Sequence, residues 1–312
     1  MSKLKTAVIG VGYLGKFHAE KYATLEQSEL VAVVDSDITT AKEIADKFGC
    51  QALTDYHELL GKVDAVSIAA PTTLHHQIAR DFLEHDTHVL IEKPITVTVD
   101  QADDLIELAI TNDLMIQVGH LERFNAALMD LSGVLKTPTF IESHRLAPFN
   151  PRATDVNVVL DLMIHDIDII LDIVKSDIKE IRASGTQVLT SSTDIANVRL
   201  EFENGCVANV TASRVSAKTE RKMRIFQDDA YIAVDFHNRE LDIYRKGDKE
   251  MHPGIPEIVS EKSTYDNSDA LKLEIIAFLD SIHHGTPILV SGEDGRRALD
   301  AAIRISAMLK DK

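Results

Sequence analysis

The sequence predicts an α/β protein, with a doubly wound parallel sheet in the first part and an α+β domain with a largely antiparallel open sheet in the second. Three observations support this prediction. Buried strand patterns alternate with helical patterns up to residue 121, a glycine-rich turn joins the first strand to the first helix, and hairpin patterns follow one another after residue 190. We therefore place one domain at residues 1–121 and a second at residues 122–312.

The first domain contains five apolar, β-rich runs, each short enough for a strand that is buried on both faces. Helical patterns such as ITTAKEIADKFG and VDQADDLIELAITND lie between them. Strands separated by helices predict parallel pairing. The five predicted strands are LKTAVIG, ELVAVVD, VDAVSIAA, THVLIEK and LMIQVGH.

The second domain begins with an apolar helical run at residues 158–174 and continues with period-two patterns. DIANVRLEFENGCVANVTASRV predicts a hairpin that turns at Asn204 and Gly205, and AYIAVDF with ELDIYRK predicts another around His237 and Asn238. Two helical patterns end the chain. Because these helices do not suffice to cover both faces of the sheet, we expect a homodimer or homotetramer that assembles through the sheet.

Composition excludes several classes of function. The chain has 312 residues, 45% of them hydrophobic, and a net charge of −17, which disfavours nucleic acid and anionic membranes as partners. Cys50 and Cys206 are too few for a metal cluster, and the 13 histidines show neither H-x-x-x-H nor H-E-x-x-H spacing, so we expect no metal. The N-terminus MSKLKTAVIG lacks a signal-peptide core, so we expect a cytoplasmic protein.

The glycines of KTAVIGVGYLGKFHAEKYA fit the spacing G-x-G-x-x-G between a predicted strand and a predicted helix. By itself this pattern is also typical of a simple strand-to-helix turn. Asp35, 20 residues after Gly15 and at the end of the second strand, adds an acceptor for an adenosine ribose. Asp35 and Asp37 would repel a 2′-phosphate, so the sequence predicts a Rossmann domain that binds NAD rather than NADP.

HVLIEKPI ends a buried parallel strand with Glu92, Lys93 and Pro94. The carboxyl ends of such strands face the ligand crevice, although a lysine there can also simply extend into solvent. Pro94 fixes its own φ and restricts Lys93, which favours a lysine aimed at one place.

The run VVLDLMIHDIDIILDIV carries its polar groups in a narrow stripe. At 100° per residue Asp161, His165, Asp168 and Asp172 share one side of the helix, while Asp166 lies away from it. The stripe is either the solvent face of a buried helix or the wall of a pocket. In a pocket, Asp161 could hold one imidazole nitrogen of His165 and leave the other for proton transfer.

These elements, together with the segment APTTLHH, resemble the glucose-fructose oxidoreductase and inositol dehydrogenase (Gfo/Idh/MocA) family along essentially the whole chain. The resemblance implies NAD-dependent oxidation of a secondary hydroxyl, with Lys93, Asp161 and His165 as the catalytic group. We interpret His165 as the general base, Asp161 as its orienting group and Lys93 as the donor that polarises the reacting oxygen. In some members of the family the lysine is credited with the proton transfer, and both assignments stay open.

The resemblance also names the residues expected to bind ligands. Those expected at the cofactor are Gly10, Gly12, Tyr13, Leu14, Gly15, Asp35, Pro71, Thr72, His75, Glu92 and Lys93. Those expected at the substrate are His120, Arg123, Arg145, Arg152 and His165.

The substrate is expected to be a sugar or sugar nucleotide. The segments GHLERFN and HRLAPFNPR resemble a branch of the family that oxidises UDP-N-acetylglucosamine at the 3-hydroxyl. The basic residues His144, Arg145 and Arg152 of this region could bind a phosphate, or they could pair with the chain's own carboxylates. The alternatives are a dehydrogenase of a free polyol or monosaccharide, and a non-catalytic NAD-binding regulator.

Overall fold

The chain divides into two compact units in a computed structural model, which describes residues 2–150, 156–266 and 269–310. Unit 1 consists of residues 1–121 with 269–299, and unit 2 consists of residues 122–268 with 300–312. Arg152 lies outside the described residues.

The sheet of unit 1 is parallel throughout and has, within the described residues, six strands in the order β3-β2-β1-β4-β5-β6. This order reverses direction at β1 and β4, the arrangement that opens a ligand crevice at the carboxyl ends of the strands. The sequence analysis missed β3, which is only three residues long. The strands are β1 (Leu4–Ile9), β2 (Ser28–Val34), β3 (Gln51–Leu53), β4 (Ala65–Ile68), β5 (His88–Glu92) and β6 (Ile116–Gly119).

The helices of this unit follow the strands, and the second and the fourth begin at side-chain caps. Asp37 caps the second helix by accepting from the Thr39 N–H, and Thr98 with Gln101 forms a capping box at the fourth. These caps satisfy amide groups that the first helical turn leaves unpaired. The helices are α1 (Gly15–Thr24), α2 (Ile38–Phe48), α3 (Thr72–Leu83) and α4 (Val99–Thr111).

Residues 269–299 pack with unit 1, whereas the sequence analysis placed them in the second domain. Their first helix, α7 (Ala270–His284), buries Ile275, Phe278 and Leu279 in the same apolar core as Val8 of β1. The sequence analysis assigned these residues by their position in the chain. An apolar face shows that α7 must pack against other apolar residues but does not identify them. The burial of α7 in this core assigns it to unit 1.

Unit 2 is built on a sheet of eight strands, counted over the described residues, in the order β14-β13-β12-β11-β7-β10-β9-β8. Neighbouring strands are antiparallel except for β7 and β10, which pair in parallel. The fold class expected from the sequence is therefore confirmed in both halves. The strands are β7 (Pro138–Leu146), β8 (Ile178–Thr186), β9 (Ile195–Phe202), β10 (Val207–Ser213), β11 (Glu220–Gln227), β12 (Ala230–Asp235), β13 (Glu240–His252) and β14 (Ile255–Thr264).

The apolar run of the sequence analysis forms one π-helical segment, Val159–Met163, which continues into helix α6 (Ile164–Val174). Helix α6 packs on β7 and β10 and buries Ile164, Ile167 and Ile170 there. The remaining helices are α5 (Ala126–Met129), which follows a short 3-10 turn, and α8 (Gly292–Lys310).

Candidate active site

In the loop between β1 and α1, a side chain at Gly10 or Gly15 would collide with nearby backbone, whereas Gly12 has open space beside it. A Cβ on Gly15 would stand 1.7 Å from the carbonyl oxygen of Gly10, and a Cβ on Gly10, whose φ is +85°, would meet the Ala70 nitrogen at 2.8 Å. A Cβ on Gly12 would meet no atom of the described chain within 4 Å. The open side of Gly12 fits a pyrophosphate that approaches the backbone at the start of a helix.

Tyr13 and Leu14 complete this loop and are largely solvent-exposed, at 69% and 44%. Exposed large side chains beside an open backbone surface are available to cover a bound cofactor. Pro71 and Thr72, the cap and first residue of α3, lie at the carboxyl end of β4. The residues predicted to bind the cofactor thus collect at one edge of the parallel sheet.

Asp35 ties the end of β2 to the glycine loop. Its Oδ2 accepts from the Val11 N–H at 3.0 Å and its Oδ1 accepts from the Asp37 N–H at 3.0 Å. Each carboxylate oxygen offers two lone pairs, so this fixed and half-buried carboxylate can still accept from ribose hydroxyls. The arrangement fits NAD.

His75 does not have the free ring that a cofactor contact needs. The ring is buried, with Nε2 2.8 Å from the Ala70 carbonyl and Nδ1 3.0 Å from the Pro94 carbonyl. Burial lowers the pKa of His75 against the opposing effect of the two carbonyls. We therefore correct the predicted contact: the ring lies between the loop after β4 and the loop after β5, and its neutral form has one N–H, which donates to one of the two carbonyls.

Glu92, Lys93 and Pro94 follow β5, and the Lys93–Pro94 peptide is cis. The Glu92 carboxylate contacts His18, with Nε2 of the ring 3.0 Å from Oε1, and accepts from the Lys93 N–H at 3.3 Å through Oε2. The sequence analysis assigned no role to His18. The pattern that could have identified it is its position in α1, three residues after the last glycine of the motif.

Glu274 of α7 is a second carboxyl group in this region that sequence reasoning missed. It is fully buried, and its two carboxyl oxygens accept no hydrogen bond within the described residues. Burial and the charge of Glu92 raise the pKa of Glu274 well above its usual value. Both causes favour the protonated acid, which keeps a second negative charge away from Glu92.

His120 follows β6 and is buried, at 1% exposure. Its backbone N–H donates to the Val118 carbonyl at 2.7 Å, which turns the chain at the end of the strand. Its role at the substrate stays a prediction.

Asp161 and His165 lie one turn apart where the π-helical segment passes into α6, and both are half-buried. The Oδ1 of Asn157 accepts from the Val159 and Leu160 N–H groups at 3.1 Å each, which fixes the start of this helix. Residues four positions apart on a helix lie on the same side, so Asp161 is placed to orient the imidazole of His165.

Arg145 was predicted to bind substrate, and its contacts contradict the free positive charge on which that prediction relied. Its Nε donates to Asp166 Oδ2 at 2.6 Å and its Nη1 to Glu122 Oε1 at 2.9 Å, and both Arg145 and Asp166 are buried. Burial opposes the charged form, but Asp166 and Glu122 hold the pKa of Arg145 above its usual value. The guanidinium belongs to an internal ion pair.

Arg123 contacts the C-terminal part of the polar stripe, which consists of Asp168 and Asp172. Its Nη1 lies 2.7 Å from Asp172 Oδ2, and its Nε lies 3.8 Å from Asp168 Oδ2. The proposed catalytic residues Asp161 and His165 lie nearer the N-terminal end of the same stripe. One part of the stripe therefore forms ion pairs with Arg123, and the other part carries the candidate catalytic pair.

Two negative findings concern the described residues. They contain no group of three or more His, Cys, Asp or Glu side chains that could hold a metal ion. In the same ranges we find no helix whose length and hydropathy would let it span a membrane.

The fold and the ligand-binding edge of unit 1 define the class: an NAD-dependent oxidoreductase with a Rossmann domain and a second α+β domain. The model of an oxidoreductase family with an NAD-binding Rossmann fold matches residues 4–120, and the model of the GFO/IDH/MocA C-terminal domain matches residues 132–233. The chain belongs to the Gfo/Idh/MocA family.

Individual relatives cover the chain from end to end. The UDP-N-acetylglucosamine 3-dehydrogenase of Acidithiobacillus ferrooxidans is 40% identical over 306 residues, which cover 98% of this chain and 97% of the relative. A solved structure of that protein matches with a TM-score of 0.92 at 38% identity, over 100% of this chain and 99% of the other. The myo-inositol 2-dehydrogenase of Thermotoga maritima is 25% identical over 328 residues, with 99% and 97% coverage.

Proposed function

We propose that this protein oxidises the 3-hydroxyl of UDP-N-acetylglucosamine with NAD. The observation that carries the proposal is the 40% identity over 98% of the chain with an enzyme of that name, compared with 25% for an inositol dehydrogenase of similar coverage. The proposal does not use the basic segment of the sequence analysis, because Arg145 is ion-paired and Arg152 lies outside the described residues.

NAD, which the glycine loop and Asp35 would hold, would supply the acceptor for the hydride that leaves the carbon of the reacting alcohol. His165 takes the hydroxyl proton, so that the C–H and O–H bonds break and a ketone forms. Asp161 orients the imidazole and stabilises its charged form. Lys93 donates a hydrogen bond to the reacting oxygen and stabilises its alkoxide character.

A substrate panel tests the reaction. Purified protein with NAD is incubated with UDP-N-acetylglucosamine, free N-acetylglucosamine, UDP-glucose and myo-inositol, and NADH is followed at its absorbance band. We expect turnover with the first compound and a 3-keto sugar by NMR. Faster turnover of myo-inositol would make the free-polyol alternative correct, and binding of NAD without turnover of any compound would favour the regulator.

The His165→Ala variant tests the proposed base. We expect turnover to fall by roughly 10²- to 10⁴-fold, the usual contribution of a positioned general base, with little change in NAD affinity. Asp172→Asn on the same stripe is the matched control, because this carboxylate is 46% exposed and pairs with Arg123. A His165→Ala protein with wild-type turnover would remove the residue from the mechanism.

We also propose that copies of the chain associate through the outer face of the second sheet. Four aromatic rings form a ladder across four neighbouring strands, with centroids 5.7, 4.9 and 5.3 Å apart. Half-buried rings on a sheet face are typical of a surface that a partner covers. Light scattering should report a dimer or tetramer, and a stable monomer at micromolar concentration would contradict this. The rings are Phe140, Phe226, Tyr231 and Tyr244.

A further inference from the structure

His18 stands between the dinucleotide loop and the strand that carries Lys93. It belongs to the first turn of α1, yet its ring points into the unit and is only 1% exposed. The Nδ1 atom lies 3.1 Å from Ser67 Oγ on β4, and Nε2 lies 3.0 Å from Glu92 Oε1 at the end of β5. One side chain thus joins a helix and two strands.

The hydrogen bonds around His18 form a continuous series. Tyr22 Oη lies 2.8 Å from Ser67 Oγ, and either hydroxyl can donate. Ser67 Oγ lies 3.1 Å from Nδ1 of His18, and the Glu92 carboxylate, which can only accept, lies 3.0 Å from Nε2. Both ring nitrogens thus have partners, which fixes the orientation of the ring.

The chain of bonds continues to Lys93. The second oxygen of Glu92 accepts from the Lys93 N–H at 3.3 Å. On the neighbouring strand a Cβ at Gly119 would lie 2.9 Å from the same oxygen, so on this side the carboxylate packs against the bare backbone of a glycine. On the other side of Lys93 the Pro94 carbonyl oxygen lies 3.0 Å from Nδ1 of His75.

We propose that His18 is a positioning residue for Lys93, acting through the Glu92 carboxylate. The backbone of Lys93 sets the point from which its long side chain extends, so a shift of that backbone moves the whole region that the amine can reach. Small displacements of a catalytic group are costly, because a misplacement of about 1 Å can lower a rate by 10²-fold. His18 also lies three residues after Gly15, so the same helix that receives the pyrophosphate sets the position of the lysine.

The proposal rests on the proposed role of Lys93, and a double-mutant cycle tests it. We expect His18→Gln to lower kcat by about 10- to 100-fold with NAD affinity changed less than about twofold. In a Lys93→Ala background the same substitution should change kcat less than about twofold, because the group on which His18 acts is gone. Losses that multiply in the double variant would overturn the proposal.

His76→Gln is the control. His76 also pairs with a carboxylate in unit 1, Asp104 at 2.8 Å, but on the surface of α3 and α4. It should keep wild-type kcat. If His18→Gln does not fold, Ser67→Ala removes the group that orients the ring and should show the same dependence on Lys93, with a smaller loss of kcat.

A measurement without cofactor or substrate separates this inference from the proposed function. Amide hydrogen exchange at Lys93, read by NMR, should be at least tenfold faster in His18→Gln than in the wild type, because its acceptor is no longer held. Unchanged exchange at Lys93 would overturn the inference whatever the enzyme oxidises. If Lys93→Ala alone keeps wild-type turnover, the proposed mechanism fails, while the exchange rate still decides whether His18 holds Lys93.

Discussion

The substitution Asp166→Asn separates an internal ion pair from a substrate site. Asp166 is fully buried on α6, where it accepts from Arg145 Nε at 2.6 Å and from Ser143 Oγ at 2.8 Å. The asparagine keeps the size of the side chain and removes its charge. The sequence analysis placed Asp166 outside the polar stripe, which would make this substitution harmless.

The expected cost follows from burial. Removing one charge of a buried ion pair typically costs about 3–5 kcal/mol, because the other charge is left without compensation. Glu122, 2.9 Å from the same guanidinium, still compensates part of the charge of Arg145, so we expect the lower end, about 3 kcal/mol. At roughly 2–4 °C per kcal/mol for a domain of about 150–250 residues, the melting temperature should fall by roughly 6–12 °C.

Thermal unfolding and steady-state kinetics well below the transition measure the two effects separately. Asp172→Asn should cost less than Asp166→Asn, because Asp172 is 46% exposed and Asp168 stays 3.8 Å from Nε of Arg123 after the substitution. Turnover per folded molecule and the KM for the sugar nucleotide should stay near wild type in Asp166→Asn. An unchanged melting temperature with a raised KM would refute the reasoning and return Arg145 to the substrate site.

Two further predictions concern unit 1. Asp35→Ser should narrow the preference for NAD over NADP, because the variant loses the carboxylate that accepts from the ribose and repels a 2′-phosphate. Titration of the purified protein with each cofactor measures the two dissociation constants. An unchanged ratio of these constants would contradict the prediction. The raised pKa of Glu274, caused by burial and by Glu92, means that the folded chain keeps a proton that the unfolded chain releases above about pH 4.3. The stability that this proton contributes is complete below that pH and is lost as the pH rises toward the folded pKa. Glu274→Gln should therefore gain stability over the wild type by up to about 1.4 kcal/mol per pH unit in that window, and parallel curves of melting temperature against pH would contradict this.

What the sequence by itself determined was local. The glycine spacing, the acidic residue at the end of β2, the Glu92–Pro94 segment and the Asp161–His165 pair all lie within one strand-to-turn or one helical turn of the features that predict them. Backbone periodicity and turn geometry depend on neighbouring residues, so such patterns can be read without a structure. The family resemblance, which uses the same local motifs in order, was also correct.

The tertiary structure decided which distant groups meet. His18 and Glu92 are 74 positions apart, and Arg145 and Asp166 are 21 apart, so nothing in the local pattern assigns these partners. A basic residue near a helix can bind a ligand or a buried carboxylate with the same sequence pattern, and only burial distinguishes the two. For the same reason α7 could be assigned to unit 1 only after its apolar face was seen in the core of that unit, because hydrophobic burial has no direction along the chain.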